Sequence, residues 1–230
     1  MATLRELIYD VREKYNAYSD DQNLSDEHIA FIIGNVRNML VKQQMSNLKR
    51  SVPREALQVI CLTLERDAQC FDEFDVLKST KPIPPTLDNT GRSDLYKVHA
   101  PGSRFIKNIN IIDYNRLPFV GADKYNSKQL FTAVDHFSYL IAYNTAGNHL
   151  LLEKLQVEGV FENPELAYVL SCDYDPTVDF WDIDYPIDAS ILFPLTQQVA
   201  QELLLKYKIP SDLINNGEDV MPPQQQQAKR

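Results

Sequence analysis

Apolar residues recur along the first fifty positions with the spacing of helices. Leu4, Leu7, Ile8 and Val11 fall at i, i+3, i+4 and i+7, which puts them on one face of a 3.6-residue repeat. Thr3 and Glu6 have the spacing of a reciprocal capping box, so a helix is predicted from about Leu4 to Lys14. Ile29, Ile32, Ile33, Val36 and Leu40 repeat the pattern and predict a second, longer helix over 26–44. A polar link joins the two as a helical hairpin whose apolar stripes need a partner.

After Pro53 the period changes. Leu57-Gln-Val-Ile-Cys-Leu-Thr-Leu64 is rich in β-branched residues and partly alternating, which favours a strand. Further extended runs lie at 76–80, 95–98, 105–112, 130–143 and 150–161, separated by Pro, Gly, Asn and Asp clusters. Asn144-Thr-Ala-Gly-Asn148 reads as a hairpin connection between two of them. The middle of the chain is thus expected to be an antiparallel unit of about six strands. The stretch 114–128 is a long loop of mixed polar and aromatic character, a kind that often carries contacts.

The final third returns to helix. Asn163-Pro164 opens a short helix near 165–170, and Ser190 is positioned to cap a longer one over 191–207, with Leu195, Val199, Leu203 and Leu204 as its stripe and Pro210 as its stop. The end, from Asn215 through Met221-Pro-Pro-Gln-Gln-Gln-Gln to Arg230, is low-complexity and needs another surface to become ordered. The fold class is therefore α+β: an N-terminal helical hairpin (1–52), a β unit (53–162), a C-terminal helical segment belonging with the hairpin (163–214) and an extended tail (215–230).

The stretch Ser19-Asp-Asp-Gln-Asn-Leu-Ser-Asp-Glu-His28 invites a cation-loop reading. Started at Asp21, however, a calcium loop would have Asp26 at its glycine position and Ile32 at its final glutamate position. A helix start fits better: Ser25 as cap, with Asp26 and Glu27 where the helix dipole favours negative charge.

Charge changes the picture more than composition does. The net charge is −9, against the usual balance of a protein that grips nucleic-acid phosphates. Residues 1–60 hold eight acids and eight Lys or Arg, whereas 155–205 hold ten acids and no Lys or Arg. Within that block Asp173, Asp175, Asp179, Asp182 and Asp184 are interleaved with Tyr174, Phe180, Trp181 and Tyr185. Three uses suit the run: an acidic surface facing a channel or interface, a hard-cation site, or a solvated loop. Its spacing matches no metal-binding loop, and neither a metal nor any other cofactor is expected.

Phosphate-binding glycine loops, a nucleophile elbow and paired metal-ligating histidines are missing from the sequence. Cys172 with His136 or His149 is the one nucleophile–base pairing to weigh, and nothing local supports it. No enzymatic activity is expected. Cys61, Cys70 and Cys172 carry no C-x-x-C spacing and read as reduced thiols of a cytosolic product. No apolar run is long enough for a membrane span, and no secretory leader precedes the first helix.

Several phrases resemble a known family. Tyr18-Ser-Asp-Asp-Gln-Asn-Leu-Ser-Asp-Glu-His-Ile-Ala-Phe-Ile-Ile-Gly-Asn-Val-Arg37 is similar to the N-terminal hairpin of head-to-tail connector proteins of short-tailed bacteriophages, above all the tail ring proteins of crAss-like phages. Val76-Leu-Lys-Ser-Thr-Lys-Pro-Ile-Pro84, Ile111-Ile-Asp-Tyr-Asn-Arg-Leu-Pro-Phe119 and Val160-Phe-Glu-Asn-Pro-Glu165 look like the same group. The resemblance implies a structural virion subunit, assembled in the host bacterial cytoplasm and residing in the tail or neck. It would form a dodecameric ring with itself, contact the portal or adjacent ring proteins, and let DNA pass without binding it specifically. Subunit contacts are then expected at Tyr114, Arg116, Phe119, Trp181, Met221, Pro222 and Pro223. An accessory binding module and a metal-dependent enzyme built on 173–188 are the competing readings.

Overall fold

Thr3 and Glu6 close the cap that their spacing predicts: Thr3 N donates to Glu6 Oε2 at 3.0 Å, and Glu6 N donates to Thr3 Oγ1 at 3.2 Å. They open helix α1, Leu4–Asn16, in a computed structural model that describes residues 2–16, 24–48, 53–67, 76–87, 95–101, 109–120, 126–144 and 148–206. Helix α2 runs Asp26–Leu48 and starts at Ser25, whose Oγ accepts from His28 N at 3.3 Å. It outlasts its predicted end because Val41 and Met45 pack on a separate cluster with Ala56, Leu87 and Val160. Arg12 of α1 donates to the Asp26 carboxylate and to Leu24 O at 3.1 Å, tying the first helix to the start of the second.

Among the described residues seven strands follow: β1 Gln58–Asp67, β2 Val76–Ser79, β3 Leu95–His99, β4 Asn110–Ile111, β5 Phe131–Val134, β6 Leu140–Tyr143 and β7 Lys154–Gly159. They form one sheet in the order β3-β7-β1-β2-β6-β5-β4. β4 and β5 are parallel, whereas the other pairs are antiparallel. The sheet is therefore mixed, not the purely antiparallel unit expected, although α+β holds. β1 is the hinge of the arrangement: its first half pairs with β7 and its second half with β2.

Two sequence expectations fail at turns. The run 130–143 is not one strand. Asp135 Oδ1 accepts from Phe137 N at 2.9 Å and Tyr139 N at 2.8 Å, and Ser138 takes a positive φ of 65°. The chain reverses there without Gly, Pro or Asn, on Asp135 and Ser138 alone, a weaker turn signal than the clusters that separate the other strands. The segment 144–148, in contrast, joins no hairpin, since β6 pairs with β2 and β5 while β7 pairs with β1 and β3; residues 145–147 lie outside the described part. Of the run 105–112, only Asn110–Ile111 is described as strand.

Helix α3 spans Pro164–Val169 and α4 spans Ala189–Lys206. The cap of α4 is Asp188, whose Oδ1 accepts from Ser190 N at 2.9 Å, and not Ser190 itself. Leu4, Leu7, Ile8, Val11 and Tyr15 of α1 share one core with Ile29, Ile33 and Val36 of α2 and Leu195, Val199 and Leu203 of α4. Each such burial contributes about 1.5–3 kcal/mol before ordering costs. Alternation along β1 sends Ile60, Leu62 and Leu64 into a second core with Leu140, Leu155, Val157 and Phe161. On the opposite face of the β2–β6–β5 part, Val76, Ile141 and Phe131 pack with Leu117. β6 is therefore buried on both faces.

Cys61 and Cys172 are joined as a disulfide across 111 residues, which corrects the expectation of reduced thiols. The cause is tertiary: Cys61 N donates to Leu170 O at 2.8 Å and Ile60 bridges to Ser171, so the chain after α3 lies beside β1. Cys70 lies outside the described residues. Cys172, bonded in this way, is no nucleophile for His136 or His149.

Candidate interaction surface

The acidic run forms a strap from Cys172 to Asp188 between α3 and α4. It contains no glycine, and its turns are made by the aspartates. Asp175 Oδ1 accepts from Thr177 N at 2.9 Å and Thr177 Oγ1 at 2.7 Å. Asp179 Oδ1 accepts from Trp181 N at 3.2 Å and opens the 3₁₀ turn Phe180–Asp182. Asp188 then caps α4 and also accepts from Gln44 Nε2 at 3.2 Å. A short side chain that accepts from the backbone two residues on replaces the glycine a tight turn would otherwise use.

Arg5 pins the strap to α1. Its Nε donates to Asp182 Oδ1 at 2.5 Å, and Nη2 donates to Asp179 Oδ2 at 3.1 Å and Asp182 Oδ2 at 3.3 Å. Asp182 raises the Arg5 pKa above its ordinary value, first through the hydrogen bond and then through its charge. Asp175 is held below the usual carboxylate range chiefly by the Thr177 hydroxyl. The backbone of Tyr185 donates to Ala2 O at 3.0 Å, and Thr3 bridges to Asp184. Asp173 is exposed. Asp179 and Asp182 thus share Arg5, Asp175 bonds Thr177 and Asp173 is exposed, so the five candidate carboxylates do not converge on one point. Among the described residues no group of three His, Cys, Asp or Glu side chains is placed to hold a metal ion.

The expected subunit contacts are scattered. Tyr114, Arg116 and Phe119 belong to one 3₁₀ turn, Tyr114–Phe119, capped by Asp113, whose side chain accepts from Asn115 N. Leu117 fastens that turn to the sheet, Tyr114 meets His136 edge-on at 5.4 Å, Arg116 is exposed, and Phe119 projects with 80% of its surface open. Residues 121–125 of the predicted loop are outside the described part. Trp181 is half-buried against the helical core rather than free on the surface. Met221, Pro222 and Pro223 lie outside the described residues.

Two residues that matter were not singled out from the sequence. Arg37 is fully buried at the junction of helices, sheet and strap. Its Nη1 donates to Phe161 O at 2.8 Å and to Asn38 Oδ1 at 3.0 Å, Nε donates to Pro186 O at 3.0 Å, and the Tyr185 ring lies 5.9 Å from its Cζ. Burial lowers the Arg37 pKa, and burial raises that of Tyr185. The signal was available: Arg37 follows Ile33 by four positions and so falls on the buried face of α2. Gln58, at the start of β1, lines a cleft of about 280 Å³ with Leu57, Tyr168, Phe180 and Tyr185. Its Nε2 donates to Pro164 O at 3.1 Å, whereas its buried Oε1 accepts from no described residue.

Comparison with known proteins places the chain. A family model described as phage tail ring protein 2 matches residues 6–224. Ring protein 2 of Bacteroides phage crAss001 is 28% identical over 228 residues, covering 96% of this chain and 98% of that protein.

Proposed function

Starting from the fact that the chain belongs to the phage tail ring protein 2 family, we propose that it builds a closed dodecameric ring in the virion tail, stacked against the portal or an adjacent ring. The ring encloses a conduit through which the genome passes during packaging and ejection. The observation that carries this reading is the extent of the family match, which runs from α1 through the acidic strap and beyond α4. The strap supports it physically. Asp175, Asp179, Asp182 and Asp188 are engaged in turns or with Arg5, so they support a fixed acidic surface rather than a reaction centre. Such a surface repels DNA phosphates and keeps the genome from adhering to the wall. Assembly takes place in the host bacterial cytoplasm, from subunits that contact one another laterally over more than about 1,000 Å².

Electron cryomicroscopy of tail particles containing this chain tests the reading. Twelvefold density at the neck or tail, with α1 to α4 of each copy packed between neighbours, is the expected result. One or two copies attached to the particle surface would overturn it in favour of an accessory binding module.

A further inference from the structure

The cleft beside Gln58 has the composition of a site for an extended, proline-containing peptide. Tyr168 and Phe180 lie 6.0 Å apart between ring centroids and are half-buried, so these two rings form one wall, with the buried Tyr185 ring 6.4 Å behind Phe180. Leu57 adds an aliphatic floor, and Gln58 Oε1 is a buried acceptor that no described residue satisfies. Glu55 and Asp184 also border the cleft and outnumber its one cation, Arg54. Aromatic-lined grooves of this kind take polyproline segments, because the proline rings stack on them and the backbone is already extended. A buried acceptor without a donor adds a demand for an incoming N–H.

The chain itself contains a segment with that chemistry. Met221-Pro-Pro-Gln-Gln-Gln-Gln227 offers two consecutive prolines followed by four side-chain amide donors, and the cationic pair Lys229-Arg230 comes after it. The sixteen residues that follow Lys206, through Pro222, span up to about 55 Å when extended. Lys206 ends α4, whereas the cleft residues Tyr185 and Pro186 precede its start, so about 27 Å of helix separates the tail's origin from its own cleft. A reach of about 55 Å exceeds that separation, so length alone allows the cleft of the same copy or that of a neighbour, and the ring reading supplies the neighbour.

We propose that residues 221–227 of one copy dock in the Tyr168–Phe180–Tyr185 cleft of an adjacent copy. The prolines lie on the aromatic wall, a glutamine amide donates to Gln58 Oε1, and Lys229 and Arg230 meet the acidic rim. The inference rests on the ring reading, since it requires neighbouring copies. It makes the tail a strap between subunits.

The test uses the full-length chain with photoreactive benzoylphenylalanine in place of Met221, a position that leaves the described fold untouched. Tail particles are assembled from equal parts unlabelled and ¹⁵N-labelled chain, imaged, irradiated and digested. The expected product is a crosslink from position 221 to peptides carrying Leu57, Tyr168 or Phe180, with light–heavy pairs present. The yield should fall at least about fivefold in a Pro222→Ala, Pro223→Ala variant, whose substitutions also lie outside the described fold. Crosslinks confined to light–light and heavy–heavy pairs would overturn docking between copies. Intact rings with crosslinks elsewhere, or to another protein, would overturn this inference and leave the ring reading standing. Particles without rings would overturn both.

Discussion

The guanidinium of Arg37 on α2 donates to the backbone carbonyl of Phe161 at 2.8 Å, just beyond the end of β7, and does so in the protein interior. The same side chain holds Pro186 O, so one residue joins the helical layer, the sheet and the strap. A buried cation without a carboxylate survives by satisfying carbonyl groups and by resting near the Tyr185 ring.

Replacing Arg37 by Ala should therefore destabilise the chain by about 3 kcal/mol, since it removes charge-assisted bonds and leaves two buried carbonyls unpaired. Arg37→Lys should recover only part of the loss, because an ammonium cannot reproduce the planar fork. Urea unfolding midpoints of the three proteins measure the difference. Equal midpoints for Arg37 and Ala would show that the junction is held by packing alone.

Asp188 links stability to pH. Its carboxyl is held below the ordinary range, mainly by the Ser190 amide. A depressed folded-state pKa means that this contribution is present above the unfolded value of about 3.9 and is lost as pH falls through the folded value. Asp188→Ala should cost about 1 kcal/mol at pH 7 as the α4 cap disappears. The gap between Asp188→Asn and the parent protein should narrow between pH 5 and pH 2, which urea melts across that range would register.

The Arg5 side chain is 43% exposed and its partners Asp179 and Asp182 more so, so screening limits what the pairs add to global stability. Their effect is local. Arg5→Ala should leave the thermal midpoint nearly unchanged while amide hydrogen exchange accelerates at Trp181, Asp182 and Ile183. Raising salt should reproduce part of that acceleration in the parent protein. Unchanged exchange at those amides would mean that the Thr3–Asp184 bridge fixes the strap by itself.

The Cys61–Cys172 bond closes 111 residues. On the chain-entropy account, a loop of that length restricts the unfolded state by roughly 4–5 kcal/mol. Reductant should lower the urea midpoint of the parent protein, whereas Cys61→Ser should start at the lower value and not respond. In unfolded, non-reduced protein, Cys61 and Cys172 should resist alkylation and become reactive only after reductant is added. Ready alkylation of both without reductant would refute the bond.

Local signals were legible where local physics decides. The Thr3–Glu6 box, the Ser25 cap and the Asn163-Pro164 start all fall where the sequence puts them, because each is completed within one helical turn. The reversal at Asp135 was not read from the sequence: a single aspartate folded onto two amides is a weak signal inside a run that is mostly apolar. The strap was legible as acidic but not as a set of turns, since only the fold brings Arg5 to Asp179 and Asp182.

By itself, the sequence determined the amphipathic helices, the period-2 strands, the asymmetric charge and the family resemblance. Each of these follows from spacing or residue identity along the chain. Tertiary structure alone decided which strands are neighbours, that β1 is shared between two partners, that Cys61 meets Cys172, that Arg37 reaches Phe161 and Pro186, and that Gln58 Oε1 is buried. Several of those outcomes depend on contacts far apart in the chain: Cys61 meets Cys172 across 111 positions, and Arg37 meets Pro186 across 149. Such contacts are set by how three apolar faces pack together, and no local pattern encodes that.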